Sequence, residues 1–199
     1  MDPLTNREYW QLIWDKFRAG DRHAFETIYN EYIDVLYSYG SRITSDKSLL
    51  CDAIQDLFVN IYTYSKGLHT PESLEYYLIK TLKHILLRKL CDNKHYIHPE
   101  KMPEQFNLKF PLEQAEQEVK EENLVLLQKE LLSLDARKRE LLFLKFNSGL
   151  TYNEIGQLLG IKPDTVKKQV YRILDYLRGK LKKKIVNLFV VSYKSLNNI

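Results

Sequence analysis

The sequence predicts an all-α protein built as two small helical domains joined by a linker, and three observations carry that expectation. Apolar residues recur at three- and four-residue steps along most of the chain, which is the signature of amphipathic helices. Only 7 glycines and 6 prolines occur among 199 residues, and long runs of Leu, Ile, Glu, Lys and Gln lean toward helix. Three of those prolines (Pro99, Pro103, Pro111) fall in one polar stretch where the apolar period is lost.

In chain order, Trp10, Ile13, Trp14 and Phe17 mark a first helix, and Phe25, Ile28, Tyr32, Val35, Leu36, Tyr39 and Ile43 a second. Ser45 and Asp46 are capping residues for a third, whose apolar face is Leu50, Ile54, Leu57, Phe58 and Ile61. The segment "SKGLHTPES" interrupts the pattern. Pro71 suits a first helical turn, and Leu74, Leu78, Leu82 and Ile85 make a fourth helix that ends near "LCDNK". These helices predict a first domain over 1–92 and a linker over 93–123. Helical pattern returns from Leu112 through Val119, Leu127, Leu131 and Leu134, and Asp135 offers an N-cap for "ARKRELLFLKF". The second domain is expected over 124–182, followed by a tail over 183–199 that joins a basic run to an apolar one.

Composition excludes several classes. A net charge of +4 makes any anion-binding role a matter of local clustering. Cys51 and Cys91 form no disulfide framework, and no signal peptide is apparent, which together point to a reducing cytoplasm. The longest apolar run, "IVNLFVV", falls far short of the roughly 20 residues needed to span a bilayer. Gly-rich phosphate loops, a nucleophile with its base, and paired carboxylates in an apolar setting are all missing, so no enzyme and no cofactor is expected. Cys91, His95 and His98 supply thiolate and imidazole, but not at the spacing of zinc half-sites, so no metal is expected either.

The most informative stretch is "LTYNEIGQLLGIKPDTVKKQVYRIL" at 150–174. Ile155, Leu158 and Leu159 form one face of a short helix, Gly160 can turn the chain sharply, and Pro163 opens the next helix. There Val166, Val170, Ile173, Leu174 and Leu177 make an apolar stripe, so Asp164, Thr165, Lys168, Tyr171 and Arg172 point away from it. From Lys162 to Lys184 nine Lys or Arg stand against Asp164 and Asp175, a charge density that attracts phosphate. Such a helix pair fits a major groove; two packed helices with a solvated basic exterior would show the same pattern.

Further residues separate these alternatives. "LDARKRELLFLKFNSGLTYNEIGQLLGIKPDTVKKQVYRILDYLR" resembles region 4 of the extracytoplasmic-function RNA polymerase sigma factors through Leu134, Glu140, Gly149, Leu150, Thr151, Glu154, Ile155, Gly160, Thr165, Val166, Lys167 and Arg172. The resemblance implies that the second helix reads the minus-thirty-five promoter element, with Thr165, Lys167, Lys168, Tyr171 and Arg172 at or near DNA. The family usually has Ala where Gly156 stands, and a Ser or Asn cap where Lys162 stands.

The first half agrees with this resemblance. "GDRHAFETIYNEY" matches the family's opening helix through Gly20, Ala24, Phe25, Tyr29 and Tyr32. On the third helix Asp52, Gln55, Asp56 and Asn60 make an acidic and polar ridge opposite the apolar face. "DAIQDLFVNIY" resembles the region 2 signature that docks on polymerase, which implies that this ridge binds core RNA polymerase. On the fourth helix Tyr76, Lys80, Lys83, His84 and Arg88, with Lys89 and Lys94 beyond, interleave aromatic and cationic groups as single-stranded nucleic acid requires. Tyr76 and Tyr77 can equally serve as packing. By resemblance this face captures the melted minus-ten strand, and "SKGLHTPES" holds a flipped base. The family commonly has Asn where His84 stands and Asp or Asn where Arg88 stands, so strand specificity is not carried over. The implied partners are core polymerase, promoter DNA both duplex and melted, and an anti-sigma factor, often membrane-anchored in this family. A stand-alone helix-turn-helix regulator, or an adaptor without DNA contact, would account for parts of the pattern.

Overall fold

The structure is a computed structural model that describes residues 6–93, 121–181 and 186. The chain divides into two compact units, Met1–Met102 and Pro103–Ile199. Every regular element among the described residues is helical, in agreement with the all-α expectation.

The first unit contains α1 (Asn6–Arg18), α2 (Arg22–Gly40), α3 (Lys47–Tyr64), a 3₁₀ turn (Ser65–Gly67) and α4 (Leu74–Asn93). Two of these helices start on aspartate caps. The Asp21 carboxylate accepts the His23 and Ala24 amides, and Asp46 accepts the Leu49 amide, each worth about 1 kcal/mol of helix stability. The apolar stripes converge on one core in which Trp14, Leu36, Tyr39, Leu57, Leu78 and Leu82 are fully buried. A second aromatic layer flanks it, with Phe25 edge-on to Tyr62 at 5.1 Å and Tyr29 against Phe58 at 4.7 Å. Burial pushes the Tyr32 phenol far above its ordinary pKa, so it is a neutral core group.

One expectation is corrected here. Pro71 lies outside α4, which begins three residues later at Leu74. The start is set by Ser73, whose hydroxyl accepts the Tyr76 amide at 3.3 Å. A side-chain cap supplies an acceptor to an orphan amide, and proline has none to offer.

The second unit contains α5 (Glu121–Leu132), α6 (Ala136–Leu142), a π-helical turn (Phe143–Asn147), α7 (Tyr152–Leu159) and α8 (Pro163–Lys180). Asp135 caps α6 as expected, accepting the Lys138 amide at 2.8 Å. The sequence suggested that "ARKRELLFLKF" continues as one helix, but its second half widens into the π turn. Leu141, Leu142, Phe143, Leu144 and Phe146 are all buried there. That is more apolar surface than one helical stripe carries, so this element is central to its unit. Segment 94–120, with Pro99, Pro103 and Pro111, lies outside the described residues, as do Lys94, His95, His98 and most of the tail. Val186 is helical and buried.

Candidate nucleic-acid interface

The α7–turn–α8 unit is assembled from local rules. Thr151 caps α7 by accepting the Glu154 amide at 3.2 Å, and the Glu154 carboxylate returns to the Thr151 amide at 2.8 Å. This reciprocal pair satisfies two amides that a helix start leaves without partners. At the other end Gly160 adopts φ +66°, a left-handed conformation in which a side chain would be strained. The Ile161 amide folds back onto the Gly156 carbonyl at 2.9 Å. A Cβ on Gly156 would stand 2.7 Å from the Ile161 carbonyl oxygen, so glycine here permits the tight turn at the expense of some helix propensity. Pro163 occupies the first position of α8, where its missing amide hydrogen leaves no donor unpaired. Lys162 makes no side-chain cap, as its chemistry predicts.

With the turn in place, Val166, Val170, Ile173, Leu174 and Leu177 are buried and Thr165, Lys167, Lys168, Tyr171 and Arg172 are exposed together on one side of α8. The structure also brings in two cations that the sequence pattern did not single out. Arg137 and Lys138 line a cavity of about 560 Å³ with Asp135, Gln169, Arg172 and Tyr176; Lys138 is paired with Asp135 at 2.7 Å, so it is Arg137 that extends the basic surface from α8 to the start of α6. Arg137 also donates to the Leu159 carbonyl, joining α6 to the end of α7. No signal within the helix pattern marks these two, because they lie 34 and 35 positions from Arg172. Asp135 is partly buried, which alone would raise its pKa. The hydrogen bonds and charge of Lys138, together with Arg139, outweigh that and hold the carboxyl below the ordinary aspartate range.

In the first unit Asp52, Gln55 and Asn60 are exposed on α3, and Asp56 is half-buried because it meets Lys89 of α4 at 2.7 Å. One end of the acidic ridge is thus neutralised, and Lys89 faces α3 instead of extending the basic face of α4. Along α4, Lys80, His84 and Arg88 are exposed, while Tyr76 and Lys83 are half-buried. The Lys80 ammonium lies 5.5 Å from the centre of the Tyr76 ring. Tyr77 is a packing residue, edge-on to Trp14 at 5.5 Å, and burial raises its phenol pKa despite a hydrogen bond with Thr81.

After α3, the 3₁₀ turn and Leu68, which lead into the loop at 69–72, form one wall of a cavity of about 800 Å³ that Phe17, Arg22, Tyr62 and Tyr64 also line. Aromatic rings together with the Arg22 and Lys66 cations suit a base and its phosphate. The loop itself rests on α1. The Trp14 indole donates to the His69 carbonyl at 3.2 Å, and Arg18 donates to the Thr70 hydroxyl at 3.2 Å. Arg7 meets Glu72 through both its carbonyl and its carboxylate. Among the described residues no cluster of His, Cys, Asp and Glu could hold a metal ion, and no helix is long and apolar enough to cross a membrane.

Comparison with known proteins gives the following likenesses. Residues 124–177 match the family described as sigma-70, region 4. Over 173 residues the chain is 23% identical to the ECF RNA polymerase sigma factor SigW of Bacillus subtilis (strain 168), covering 83% of this chain and 92% of that one. A solved structure of CnrH in complex with the cytosolic domain of CnrY aligns over 92% of this chain and 97% of that chain, with 16% identity and a TM-score of 0.49. Residues 124–177 are thus similar to sigma-70 region 4, within a chain that resembles an ECF RNA polymerase sigma factor over most of its length.

Proposed function

We propose that this chain is a promoter-specificity factor that joins core RNA polymerase and directs where transcription starts. The observation that carries the reading is the exposed face of α8. Five polar and basic side chains are presented together beyond a fixed glycine turn, inside the segment that matches region 4. In this role Thr165, Lys167, Lys168, Tyr171 and Arg172 meet the minus-thirty-five duplex, with bases read in the major groove and phosphates met at its edges. Arg137 adds charge beside them. Asp52, Gln55, Asp56 and Asn60 dock on polymerase. Tyr76, Lys80, Lys83, His84 and Arg88 hold the melted minus-ten strand, and the cavity under the loop receives one unstacked base. Two modules on one chain raise each other's effective concentration at the promoter. Sigma factors are not enzymes, and phosphoryl transfer belongs to the polymerase. The reading puts the protein in the cytoplasm with its template. It also supports a partner of the anti-sigma class that covers both DNA faces, which copurification from cells would detect as a second small protein.

The deciding experiment is transcription from genomic DNA by purified core polymerase, with and without the protein, and sequencing of the new RNA 5′ ends. Protein-dependent starts that share two upstream elements at one fixed spacing are expected. An absence of new starts, with duplex binding retained when polymerase is left out, would replace this reading by a stand-alone regulator.

A further inference from the structure

The donors of α1 follow a single stripe. Arg7, Gln11, Trp14 and Arg18 are separated by four, three and four residues, which at 100° per residue places them along one side of the helix. All four reach the loop that follows the 3₁₀ turn. Arg7 bonds to Glu72, and Gln11 lies 3.5 Å from the Pro71 and Glu72 carbonyls. Trp14 donates to His69 at 3.2 Å and Arg18 to Thr70 at 3.2 Å, while the Thr70 hydroxyl donates to Asp15. Four consecutive loop residues are therefore tied by side chains of a helix more than 50 positions earlier. The loop's own backbone adds only the Leu68 amide to the Ser65 carbonyl before the Ser73 cap.

We infer that α1 is a positioning element, whose donor stripe holds residues 69–72 in the conformation that accepts the melted strand. The inference rests on the functional reading above and deepens it. Trp14 is the mechanical centre. It is fully buried, its indole holds the loop at His69, and its ring meets Tyr77 of α4, the neighbour of the strand-facing Tyr76. Loop and α4 face are thus referred to the same side chain. A loop already held in its binding shape loses less conformational freedom when a base enters, and that saving appears as affinity.

The test uses full-length protein in holoenzyme with core polymerase and a non-template oligonucleotide that spans the minus-ten element of a promoter mapped as above. Arg7→Ala, Gln11→Ala and Arg18→Ala combined remove three donors from exposed or half-exposed positions without opening the core. Trp14→Phe removes the indole donor and part of the ring but keeps an aromatic side chain in the core and changes no charge. Roughly three- to tenfold weaker strand binding is expected for each variant, with core affinity and the salt dependence of strand binding unchanged. Amides of residues 69–72 should exchange faster with solvent, and Arg18→Lys should restore part of an Arg18→Ala loss. Strand affinity equal to wild type in both variants would overturn the positioning role. So would a loss confined to the arginine variants with a salt slope lowered by about 0.7 per residue, since that is the signature of direct phosphate contact. A wild-type holoenzyme that binds no strand would overturn the functional reading and this role with it.

Discussion

Helices α4 and α8 are both proposed to meet nucleic acid, yet they are built on different principles. The exposed face of α8 depends on a single short turn. Gly156, Gly160 and Pro163 aim the helix, its apolar stripe is buried, and all five candidate contact residues are exposed. The face of α4 is composite. Tyr76 and Lys83 are half-buried, Lys89 is drawn to Asp56 of α3, and the loop before the helix is held by α1. A duplex groove asks for a projecting rod. A single strand needs a walled surface that can separate one base from its neighbours, and such a surface needs several elements.

That contrast can be broken most strongly at Trp14. Replacement by Ala removes a fully buried ring from the core of the first unit and should cost about 3–5 kcal/mol, measured by urea unfolding. Duplex binding through α8 should fall much less than strand binding. Equal losses would show that the two faces do not rest on separate supports.

Next in size are the contacts themselves. Lys168→Ala or Arg172→Ala should cost about 1–3 kcal/mol in duplex binding where a base contact is removed, or lower the salt slope by about one where only phosphate is touched. Unchanged promoter use at every salt concentration would remove α8 from the interface. On the other unit, Asp52→Arg with Asp56→Arg should weaken binding to core polymerase while duplex binding is preserved, as measured by titration against labelled core.

Gly156→Ala sharpens the comparison within the turn. The added methyl would sit 2.7 Å from the Ile161 carbonyl oxygen, so the turn must open or the helix must shift. A stability loss of about 1–3 kcal/mol is expected, along with weaker duplex binding from a displaced α8. A stabilised variant with normal binding would show that the turn has room to move.

The smallest effect concerns pH. The Asp135 carboxyl is held below its ordinary pKa in the folded protein, so its contribution to the second unit is present at neutral pH. That contribution declines as pH falls through the ordinary aspartate range, near pH 4, and is lost below the depressed folded value. In Asp135→Asn, which keeps a cap oxygen but no charge, melting temperature should fall less steeply across that interval than in wild type.

How much of this was legible follows from the range of each interaction. The stripes of α2, α3 and α8, the caps at Asp46 and Asp135, and the turn at Gly160 all involve residues within one helical turn or one element of each other. Periodicity and cap chemistry report such relations directly. Pro71 misled because a residue suited to a helix start was weighed without its competitor, the Ser73 hydroxyl two residues on. The π turn at Phe143–Asn147 escaped because a run of buried residues reads as helix whatever its pitch. The Asp56–Lys89 pair, the Arg137–Leu159 bond and the loop ties of α1 join residues 22 to 65 positions apart. No local pattern encodes which of the many exposed charges will meet.

By itself, then, the sequence determined the all-helical class, the order of the helices and the outward face of α8, because each follows from side-chain spacing at 100° per residue. The tertiary structure alone decided which polar groups are engaged across helices. It turned Lys89 inward to Asp56, brought Arg137 and Lys138 beside Arg172, and laid the loop at 69–72 along the donors of α1. The physical reason is that burial of an apolar stripe is set by one helix's own period, whereas a hydrogen bond between distant residues exists only after packing has brought donor and acceptor within about 3 Å.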